Sequence, residues 1–491
     1  MKNKILTTCF AAGILLSGGR CLGNNLVVGT PTVAGAVISF SISWENSWYA
    51  PSQPSNWDAA WVFIKYKDCT TTNWLHASLS TAGNSVTGGV LQVENPAFAD
   101  GKGVFIRRIA TGGPGTIATA TVSLTMTTPA TGSWDFKVMG IEMVNCLAGD
   151  FEVGDGYSDW RFNSVTITSA YQSGGITSAV LGGNGTVNLP AAYPMGYNSF
   201  YAMKYEITQQ QYVEFLNTLT YSQQALRTIV SPANSPYAYA MMGVGANDNG
   251  IQIMASGVST TTPAVYGCNY NNNSGPTAFN EACDGQNKAC NGLDWGNLAA
   301  YLDWAALRPM TELEFEKICR GGTPVTRVAG EFPWGNTQIL GAETGYTQNV
   351  GCDNELGKSG VVGNGLCNCY RTWSGVRPIR VGFAATATTN RVTAGAAYYG
   401  AMDMAGNLHE IIVNTTTNGA TYTGVLGDGD VSAVPAGWPS VSTASGMGLK
   451  GGYFSSSCDA ASNSQLRTSN RNGYNTAPTA KDGTYGGRGV R

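Results

Sequence analysis

Histidine is nearly absent from the sequence, which has only His76 and His409 among its 491 residues. Imidazole is a common ligand of catalytic metals, so a zinc site built from several histidines is excluded for this chain on its own. A Ser–His–Asp hydrolase would have to use His409, but no nucleophile-elbow motif accompanies that residue. We therefore expect both histidines to be partly packed side chains without a catalytic role.

Charged residues are also scarce, at 12% of the chain, and the 28 basic and 31 acidic residues leave a net charge of −3. No basic stripe stands out, which argues against a nucleic-acid partner. The chain has 64 glycines and is rich in Ser, Thr and Asn, while long charged helices are missing. This composition is typical of an extracellular protein built mainly from loops and β-strands.

Long apolar runs are missing too, and after the N-terminus no segment has 18 uninterrupted apolar residues. We therefore expect no membrane span. The N-terminus itself has Lys2 and Lys4, an apolar run over residues 5–16 and then small residues. This order is typical of a secretory signal peptide, which we assign to residues 1–23. The mature protein is predicted to be secreted or held at the cell surface, in an extracellular or periplasmic space.

Cysteine, in contrast, is well represented, and ten of the 12 cysteines remain once the signal peptide is removed. They are Cys69, Cys146, Cys268, Cys283, Cys290, Cys319, Cys352, Cys367, Cys369 and Cys458. An even number of cysteines in an exported chain predicts disulfides. The alternative is a zinc site, which is disfavoured because histidine is scarce and paired CxxC spacing is missing. The sequence alone does not give the pairing.

Residues 24–138 have the pattern of β-strands, and the length of the chain makes two domains the default. The stretches AVISFSISWENSW, AAWVFIKYKDC and TATVSLTMTT are apolar or alternating, with Gly, Pro and Asn between them. Several short strands separated by turns predict an all-β sandwich. No pair of carboxylates here stands out as a glycosidase couple. Four tryptophans could line a sugar platform, but their place in strand-like runs favours core packing: Trp44, Trp48, Trp57 and Trp61.

Residues 139–491 contain well-marked helix signals. Thr208 and Gln211 form a capping box at the start of the apolar stripe in ITQQQYVEFLNTLT. A second helix is predicted in LDWGNLAAYLDWAA after the N-cap residue Asp294. A third is predicted in TELEFEKICRGG, where another capping box begins the helix and two glycines end it. The long Gly/Asn/Thr loops that follow indicate a loop-rich α+β domain, which needs disulfides or bound ions to stay ordered.

These elements, in this order, resemble the family of sulfatase-modifying, or formylglycine-generating, enzymes. The resemblance rests on separated blocks: MVNCLAGDFEVGD, MKYEITQQQYVEFLN, LRPMTELEFEKICRGG with FPWGN after it, YGAMDMAGNLHEI, LKGGYFSSS, SNRN and the final GGRGVR. One block alone is weak, but the ordered set covers residues 139–491. The resemblance implies a loop-rich variant of the C-type lectin fold, and the first domain lies outside it.

The family's enzymes oxidise a cysteine of a client sulfatase to formylglycine, using copper held by two cysteines. The resemblance puts these two positions at Ser456 and Ala461, counted from Lys450 in the KGG motif. Neither side chain supplies the thiolate that copper(I) prefers, and Cys458 lies between the two positions as a single thiol. The resemblance therefore implies neither a catalytic residue nor copper here. A sister branch uses iron held by histidines, a site that two histidines do not build.

The family also binds calcium at a glycine-asparagine turn, through a side chain, two backbone carbonyls and a glutamate. The matching positions are Asp403, Gly406, Leu408 and Glu410. Calcium takes about six to eight hard oxygens at flexible angles, and two carboxylates with carbonyls between them on a tight turn suit it. The alternative is that both carboxylates are solvated or cap the turn. A second calcium of the family maps to Asn349 and Val350.

The family pairs a cysteine that matches Cys319 with a cysteine of the C-terminal segment, where Cys458 is the only one. The resemblance therefore implies a Cys319–Cys458 disulfide, which would leave Cys458 unreactive. Three arginines match positions where the family often has arginine: Arg467, Arg471 and Arg488. They could be buried and paired with Asp or Glu, or they could contact an acidic ligand.

Polar and aromatic side chains in residues 449–474, which we call the closing segment, are suited to adaptable recognition. We expect the ligand-binding surface to comprise Tyr453, Asn463, Gln465, Arg467, Asn470, Arg471, Asn472 and Tyr474. The sequence thus predicts an exported, non-catalytic protein that binds a glycan, a protein or a neighbouring subunit, with self-assembly at the cell surface as one form of this. The alternative is an oxidoreductase of the formylglycine-generating type, acting on a cysteine of a sulfatase through a lone Cys458 thiol.

Overall fold

A computed structural model describes residues 25–94, 100–128, 132–243, 248–275, 277–342, 348–357, 365–370, 377–386, 388–459, 461 and 464–491. The predicted signal peptide and Asn463 lie outside these residues. The described chain is rich in strands and has few helices, so the expectation of a strand-rich first region is confirmed. In the part of the chain that the structure describes, no helix is both long and apolar enough to cross a membrane.

The strands of the first region include the longest of the chain. They are β1 (Val27–Val28), β2 (Thr32–Ala34), β3 (Val37–Tyr49), β4 (Asp58–Asp68), β5 (Leu75–His76), β6 (Ser85–Val86), β7 (Leu91–Glu94), β8 (Val104–Arg108), β9 (Gly112–Thr125) and β10 (Trp134–Cys146). Strands β3 and β9 pair antiparallel and form a five-stranded sheet with β1, β2 and β6. Alternate residues of β3 are buried, as the alternation in AVISFSISW predicts.

The second region has shorter elements joined by long loops. Its strands are β11 (Phe151–Val153), β12 (Val165–Ile167), β13 (Phe200–Met203), β14 (Ile251–Ala255), β15 (Val265–Cys268), β16 (Arg308–Pro309), β17 (Leu340–Gly341), β18 (Leu366–Cys367), β19 (His409–Val413), β20 (Met447–Lys450), β21 (Tyr485–Gly486) and β22 (Gly489–Val490). Its helices are α1 (Ser169–Gly174), α2 (Ser178–Leu181), α3 (Gln209–Leu216), α4 (Tyr221–Arg227), α5 (Trp295–Trp304) and α6 (Glu312–Arg320), with a 3-10 turn at Gly419–Thr421.

Strand β10 joins the two regions, and the predicted boundary between residues 138 and 139 lies inside it. One edge of β10 pairs antiparallel with β4, from Trp134 opposite Asp68 to Val144 opposite Asp58. Its other edge pairs with β13. An eight-stranded sheet results, in the order β16-β22-β13-β10-β4-β8-β7 with β5 added to β4. Strands from both sides of the predicted boundary therefore form one sheet.

Strand β4 is buried on both of its faces. Ala60, Val62 and Ile64 belong to the core between the two sheets, whereas Trp61 and Phe63 belong to the larger core of the second region. Successive side chains of a strand point to opposite faces, and a strand buried on both faces has an almost continuous apolar sequence. This explains the unbroken run AAWVFI, and it makes the eight-stranded sheet a wall shared by two cores.

The three predicted helices are present. Helix α3 begins at the capping box of Thr208 and Gln211, α5 follows the N-cap Asp294, and α6 has its own capping box and ends at Gly321. Helix α4 was not predicted, although it too begins with a capping box. Only one of its residues is buried, so it lacks the apolar stripe on which the other predictions relied.

Candidate functional site

Helix α6 supports the candidate site from the interior of the domain. All nine of its residues are buried, although five of them are charged. A buried charge is tolerated when a partner neutralises it. Glu312 accepts hydrogen bonds from Arg471 at 2.8 and 2.9 Å, and Arg320 lies 3.0 Å from Glu316. The pair with Arg471 ties the closing segment of the chain to the start of this helix.

Two more cations hold the closing segment in the interior. Lys450 of the KGG motif is buried, and its ammonium donates to the backbone carbonyls of Thr468 and Asn470 at 2.9 Å each. The Arg467 guanidinium lies over two aromatic rings, 5.0 Å from the centroid of Tyr157 and 4.8 Å from that of Phe332. The backbone between these residues is therefore fixed by contacts on its inner side.

Three residues that were predicted on the ligand-binding surface are buried, and this part of the prediction is wrong: Arg467, Asn470 and Arg471. The physical reason is that each has a partner in the interior: Arg471 pairs with Glu312, Arg467 lies over two aromatic rings, and the carbonyl of Asn470 accepts from Lys450. Of the two alternatives for the arginines, burial with an acidic partner holds for Arg471 and for Arg488, whose Nε lies 2.5 Å from Glu410.

Four residues of the predicted surface stay partly exposed: Tyr453, Gln465, Asn472 and Tyr474. The centroid of the Tyr474 ring lies 6.4 Å from that of Trp160, a side chain that is 48% exposed. Trp160 has a φ of 61°, a left-handed conformation that is rare for a bulky residue, and its carbonyl accepts a hydrogen bond from Arg471 at 3.2 Å. Trp160 was not predicted from the sequence, although a single tryptophan in the polar turn DGYSDW could have indicated an exposed aromatic side chain.

Cys458 is bonded to Cys369, so the predicted Cys319–Cys458 disulfide is wrong. The backbone amide of Tyr370 donates to the carbonyl of Ser456, and the amide of Cys458 donates to that of Tyr370, both at 2.8 Å. These bonds set the two bonded segments side by side. Cys319 is instead a buried thiol in the last turn of α6, where burial raises its pKa and keeps it protonated.

The prediction that cysteines form disulfides is confirmed for two pairs, Cys369–Cys458 and Cys283–Cys352. Further cysteines are buried thiols: Cys146, Cys290, Cys319 and Cys367. Burial raises the pKa of each of these thiols. The thiolate is the form that attacks electrophiles or binds metals, so these thiols are suited to packing.

The two positions that correspond to the family's copper-binding cysteines carry no sulfur. Ser456 is buried, and its hydroxyl accepts a hydrogen bond from the amide of Tyr453 at 2.9 Å. Ala461 is exposed and offers only a methyl group. Copper(I) prefers soft thiolate ligands, so these two residues do not fit copper.

The glycine-asparagine turn adopts left-handed conformations at several residues. Asp403, Gly406 and Asn407 have φ values of 57°, 76° and 60°. A Cβ atom at Gly406 would lie 2.3 Å from the carbonyl oxygen of Asn368 and 2.6 Å from the sulfur of Cys367. Only glycine fits there, because it combines a positive φ with the absence of a side chain.

Three buried carboxylates belong to this turn and its surroundings, those of Glu206, Asp403 and Glu410. Glu206 accepts from the backbone amide of Leu408 at 2.9 Å and from the side-chain amide of Asn407. Burial raises the pKa of Glu206 well above its usual range, and the charges of Asp403 and Glu410 raise it further. Sequence reasoning missed Glu206, because its contact with the turn spans 202 residues of sequence.

One oxygen of Glu410 supports the fit of a cation at this turn. Its Oε1 binds Arg488 at 2.5 Å, whereas its Oε2 is buried and has no hydrogen-bond partner among the described residues. Burial also raises the pKa of both Asp403 and Glu410, so a cation would relieve an unfavourable charge. No group of three Asp, Glu, His or Cys side chains in the described ranges could hold a metal by itself. The set implied by the resemblance needs only two carboxylates, with the carbonyls of Gly406 and Leu408, which are the oxygen ligands that calcium prefers. Calcium at this turn stays a prediction.

The second predicted calcium position lies on an exposed turn. Asn349 has a φ of 56°. Asn349 and Val350 are both exposed and lie three and two residues before the disulfide-bonded Cys352. Within the described residues, no hydrogen bond or ion pair joins this turn to Asp403 or Glu410. The second calcium stays a prediction.

The residues matched by a family model extend from β10 to the C-terminus. The model is that of the sulfatase-modifying factor enzyme 1-like domain, and it matches residues 136–491. Because this match covers more than half of the sequence, the chain belongs to that family. A search of curated proteins gave no match.

Proposed function

We propose that the protein is an exported, non-catalytic member of this family, which binds a ligand through a loop-rich α+β domain with a C-type-lectin-like fold. The observation that carries the proposal is the closing segment, whose Lys450, Arg467 and Arg471 are buried while polar and aromatic side chains stay partly exposed. Such a segment is a preorganised surface, and preorganisation lowers the entropic cost of binding. Export rests on the predicted signal peptide and is compatible with the two disulfides.

The proposed surface comprises the partly exposed Gln465, Asn472 and Tyr474 with the neighbouring Trp160, and Tyr453 lies nearby in sequence at the KGG motif. Aromatic rings supply contact area at a small entropic cost, and the amides supply adaptable hydrogen bonds. The partner would be a glycan, a protein or a neighbouring subunit at the cell exterior. Asn463, which was predicted to belong to this surface, lies outside the described residues.

Calcium would act as a structural ion in this function. Asp403 and Glu410 would supply carboxylate oxygens, and Gly406 and Leu408 would supply carbonyl oxygens. The buried Oε2 of Glu410 without a hydrogen-bond partner supports this assignment. The ion would neutralise the carboxylates of the turn and hold the start of β19 in place, without contacting the ligand.

The test is a binding screen of the mature protein against an array of glycans and against surface proteins, with and without calcium. A ligand should bind the unaltered protein, and binding should weaken at least tenfold in Tyr474→Ala and Asn472→Ala. Tyr221→Ala, on the partly exposed face of α4, is the matched control and should bind normally. Binding that survives both closing-segment variants, or no binding on either array, would count against the proposal.

One observation favours a second candidate function, that of a formylglycine-generating oxidoreductase. A copper site of this type needs two thiols, and the segment around Cys458 has only one. Cys369 could supply the other, because reduction of the Cys369–Cys458 bond would leave two neighbouring thiols next to Ser456. Two thiolates are ligands that copper(I) prefers. Copper(I) titration of the untreated and the mildly reduced protein tests this candidate, which predicts tight binding after reduction that Cys369→Ser abolishes.

A further inference from the structure

A cleft of about 370 Å³ lies where the first region meets the second. One wall comes from the edge of β4 and from β5, with Lys65, Trp74 and His76. The opposite wall comes from the end of α5 and from the loop that follows residue 427, with Trp304 and Asp430. Small-molecule sites have volumes of roughly 300–1,000 Å³ and often lie between domains.

The two walls contact each other at Lys65 and Gly429. Lys65 is only 1% exposed, and its ammonium donates to the carbonyl of Gly429 at 2.9 Å and lies 5.3 Å from the centroid of the Trp304 ring. Gly429 has a φ of 88°, and a Cβ atom there would lie 2.2 Å from Nδ1 of His76. The loop can approach the first region this closely only because residue 429 is glycine.

Two polar atoms in the cleft residues have no hydrogen-bond partner within the described structure. Trp304 is 4% exposed and its Nε1 donates to no acceptor there. His76 donates from Nε2 to the carbonyl of Lys102 at 2.6 Å, but its Nδ1 is buried without a donor. Buried polar groups are normally paired, so each exception indicates a site that water or a ligand group can complete.

The cleft is lined by both basic and acidic side chains. Lys65 and Lys102 line it together with Asp428 and Asp430. The backbone amide of Asp430 donates to Oδ1 of Asp428 at 2.8 Å, and both of these aspartates are exposed. Lys65 is buried and donates to Gly429, so Lys102 and the two carboxylates remain for a ligand. This mixed lining favours a ligand that both donates and accepts hydrogen bonds.

We propose that this cleft is a binding site for one or two rings of a neutral carbohydrate. Each sugar hydroxyl both donates and accepts, which matches the mixed lining. The indole ring of Trp74, which is partly exposed, supplies flat apolar surface for the C–H face of a sugar ring, and the Lys137 ammonium lies 4.9 Å from the centroid of that ring. The site is separate from the surface of the closing segment and does not depend on the function proposed for it.

Isothermal titration of the mature full-length chain with D-glucose, D-galactose, D-mannose, N-acetyl-D-glucosamine and their β-linked disaccharides tests the proposal. At least one of these sugars should bind and should change the tryptophan fluorescence. Trp74→Ala and Asp430→Asn should each weaken that binding at least tenfold. Ile109→Ala removes an exposed apolar side chain that belongs neither to the cleft nor to the surface of the closing segment, and it should leave the affinity unchanged. Thermal unfolding of all three variants verifies that they fold, and Asp430→Asn keeps the size of the side chain.

Three results would overturn the carbohydrate site. The first is that none of these sugars binds the folded protein. The second is that binding is the same in Trp74→Ala and Asp430→Asn as in the unaltered chain. The third is that only carboxylated or sulfated sugars bind and that their affinity falls steeply with salt, which would make the lysines an anion site.

Discussion

At the residue scale, the Arg471–Glu312 ion pair fixes the closing segment on α6. We predict that Arg471→Ala lowers the free energy of unfolding by about 3–5 kcal/mol, because it leaves Glu312 buried and unpaired. Burial opposes the charge of Glu312, but Arg471 outweighs it, and the pKa of Glu312 is lowered. The pair therefore stabilises above the unfolded pKa, and this contribution disappears as pH falls through the folded one. Urea unfolding at several pH values measures both effects.

The matched control for this prediction is Arg161→Ala, because Arg161 is exposed and donates to the carbonyl of Ser158. Its loss should change the free energy of unfolding by less than about 1 kcal/mol. Equal losses in the two variants, or a difference between wild type and Arg471→Ala that grows in acid, would contradict the role given to the Glu312 pair.

Asp303, below the cleft, provides a second prediction at this scale. Burial raises the pKa of Asp303 to about 7, and the nearby charge of Asp428 raises it further. In the unfolded chain the pKa of Asp is about 3.9. Between about pH 3.9 and pH 7 the folded state therefore binds a proton that the unfolded state has released, and the free energy of unfolding falls as the pH rises towards 7. Asp303→Asn mimics the protonated form and should remove this loss. Thermal unfolding from pH 4 to 8 measures it, and an unchanged pH slope in the variant would contradict the prediction.

The sequence identifies residues of the candidate site when they belong to a recognisable local motif. Asp403 and Glu410 were found in the turn motif, whereas Glu206 reaches that turn from a distant segment. The disulfide partner of Cys458 was missed for the same reason, because Cys369 is placed by backbone bonds between two loops. Long-range contacts of this kind depend on the packing of the whole chain, which local patterns do not encode.

At the scale of elements, the capping boxes differ in how deeply they are buried. We predict that Thr311→Ala lowers the free energy of unfolding by about 2 kcal/mol, towards the upper end for caps. The Thr311 hydroxyl accepts from the amide of Glu314 and also donates to the carbonyl of Pro194 at 2.9 Å. Thr220→Ala removes the same kind of cap from the partly exposed α4 and should cost about 0.5–1 kcal/mol. Denaturant unfolding compares them, and a larger loss in Thr220→Ala would contradict the prediction.

Helices were predicted correctly where a cap and an apolar stripe occur together, as in α3, α5 and α6. Helix α4 has a capping box but no apolar stripe, so it was not predicted. Helices α1 and α2 are too short for a cap or an apolar stripe to predict them. The strands of the first region were predicted from alternation. Their assembly into a sheet that continues into the second region was not, because the partner of β10 on its far side, β13, lies more than 50 residues away.

At the scale of the whole molecule, the shared eight-stranded sheet makes the two regions one folding unit. A chain that begins at residue 139 lacks β4 and the first part of β10, and it loses Trp61, Phe63 and Phe105 from the larger core. We predict that it does not unfold cooperatively on heating, because the edge of β10 that pairs with β4 is exposed and the larger core loses part of its apolar side chains. A chain that begins at residue 24 is the control and should show one transition. A sharp transition in the shorter chain would contradict this prediction.

The central claim is that this member of the family binds a ligand and does not oxidise a cysteine. The direct test incubates the mature protein, loaded with copper(I) after mild reduction, with oxygen and a sulfatase-derived peptide that contains the client cysteine. Mass spectrometry follows the peptide, and a formylglycine-generating enzyme with both copper-binding cysteines serves as the positive control. The account predicts that the peptide keeps its cysteine with and without copper. Formation of the aldehyde by the unaltered chain, and its loss in Cys369→Ser and Cys458→Ser, would contradict the account and establish the oxidoreductase.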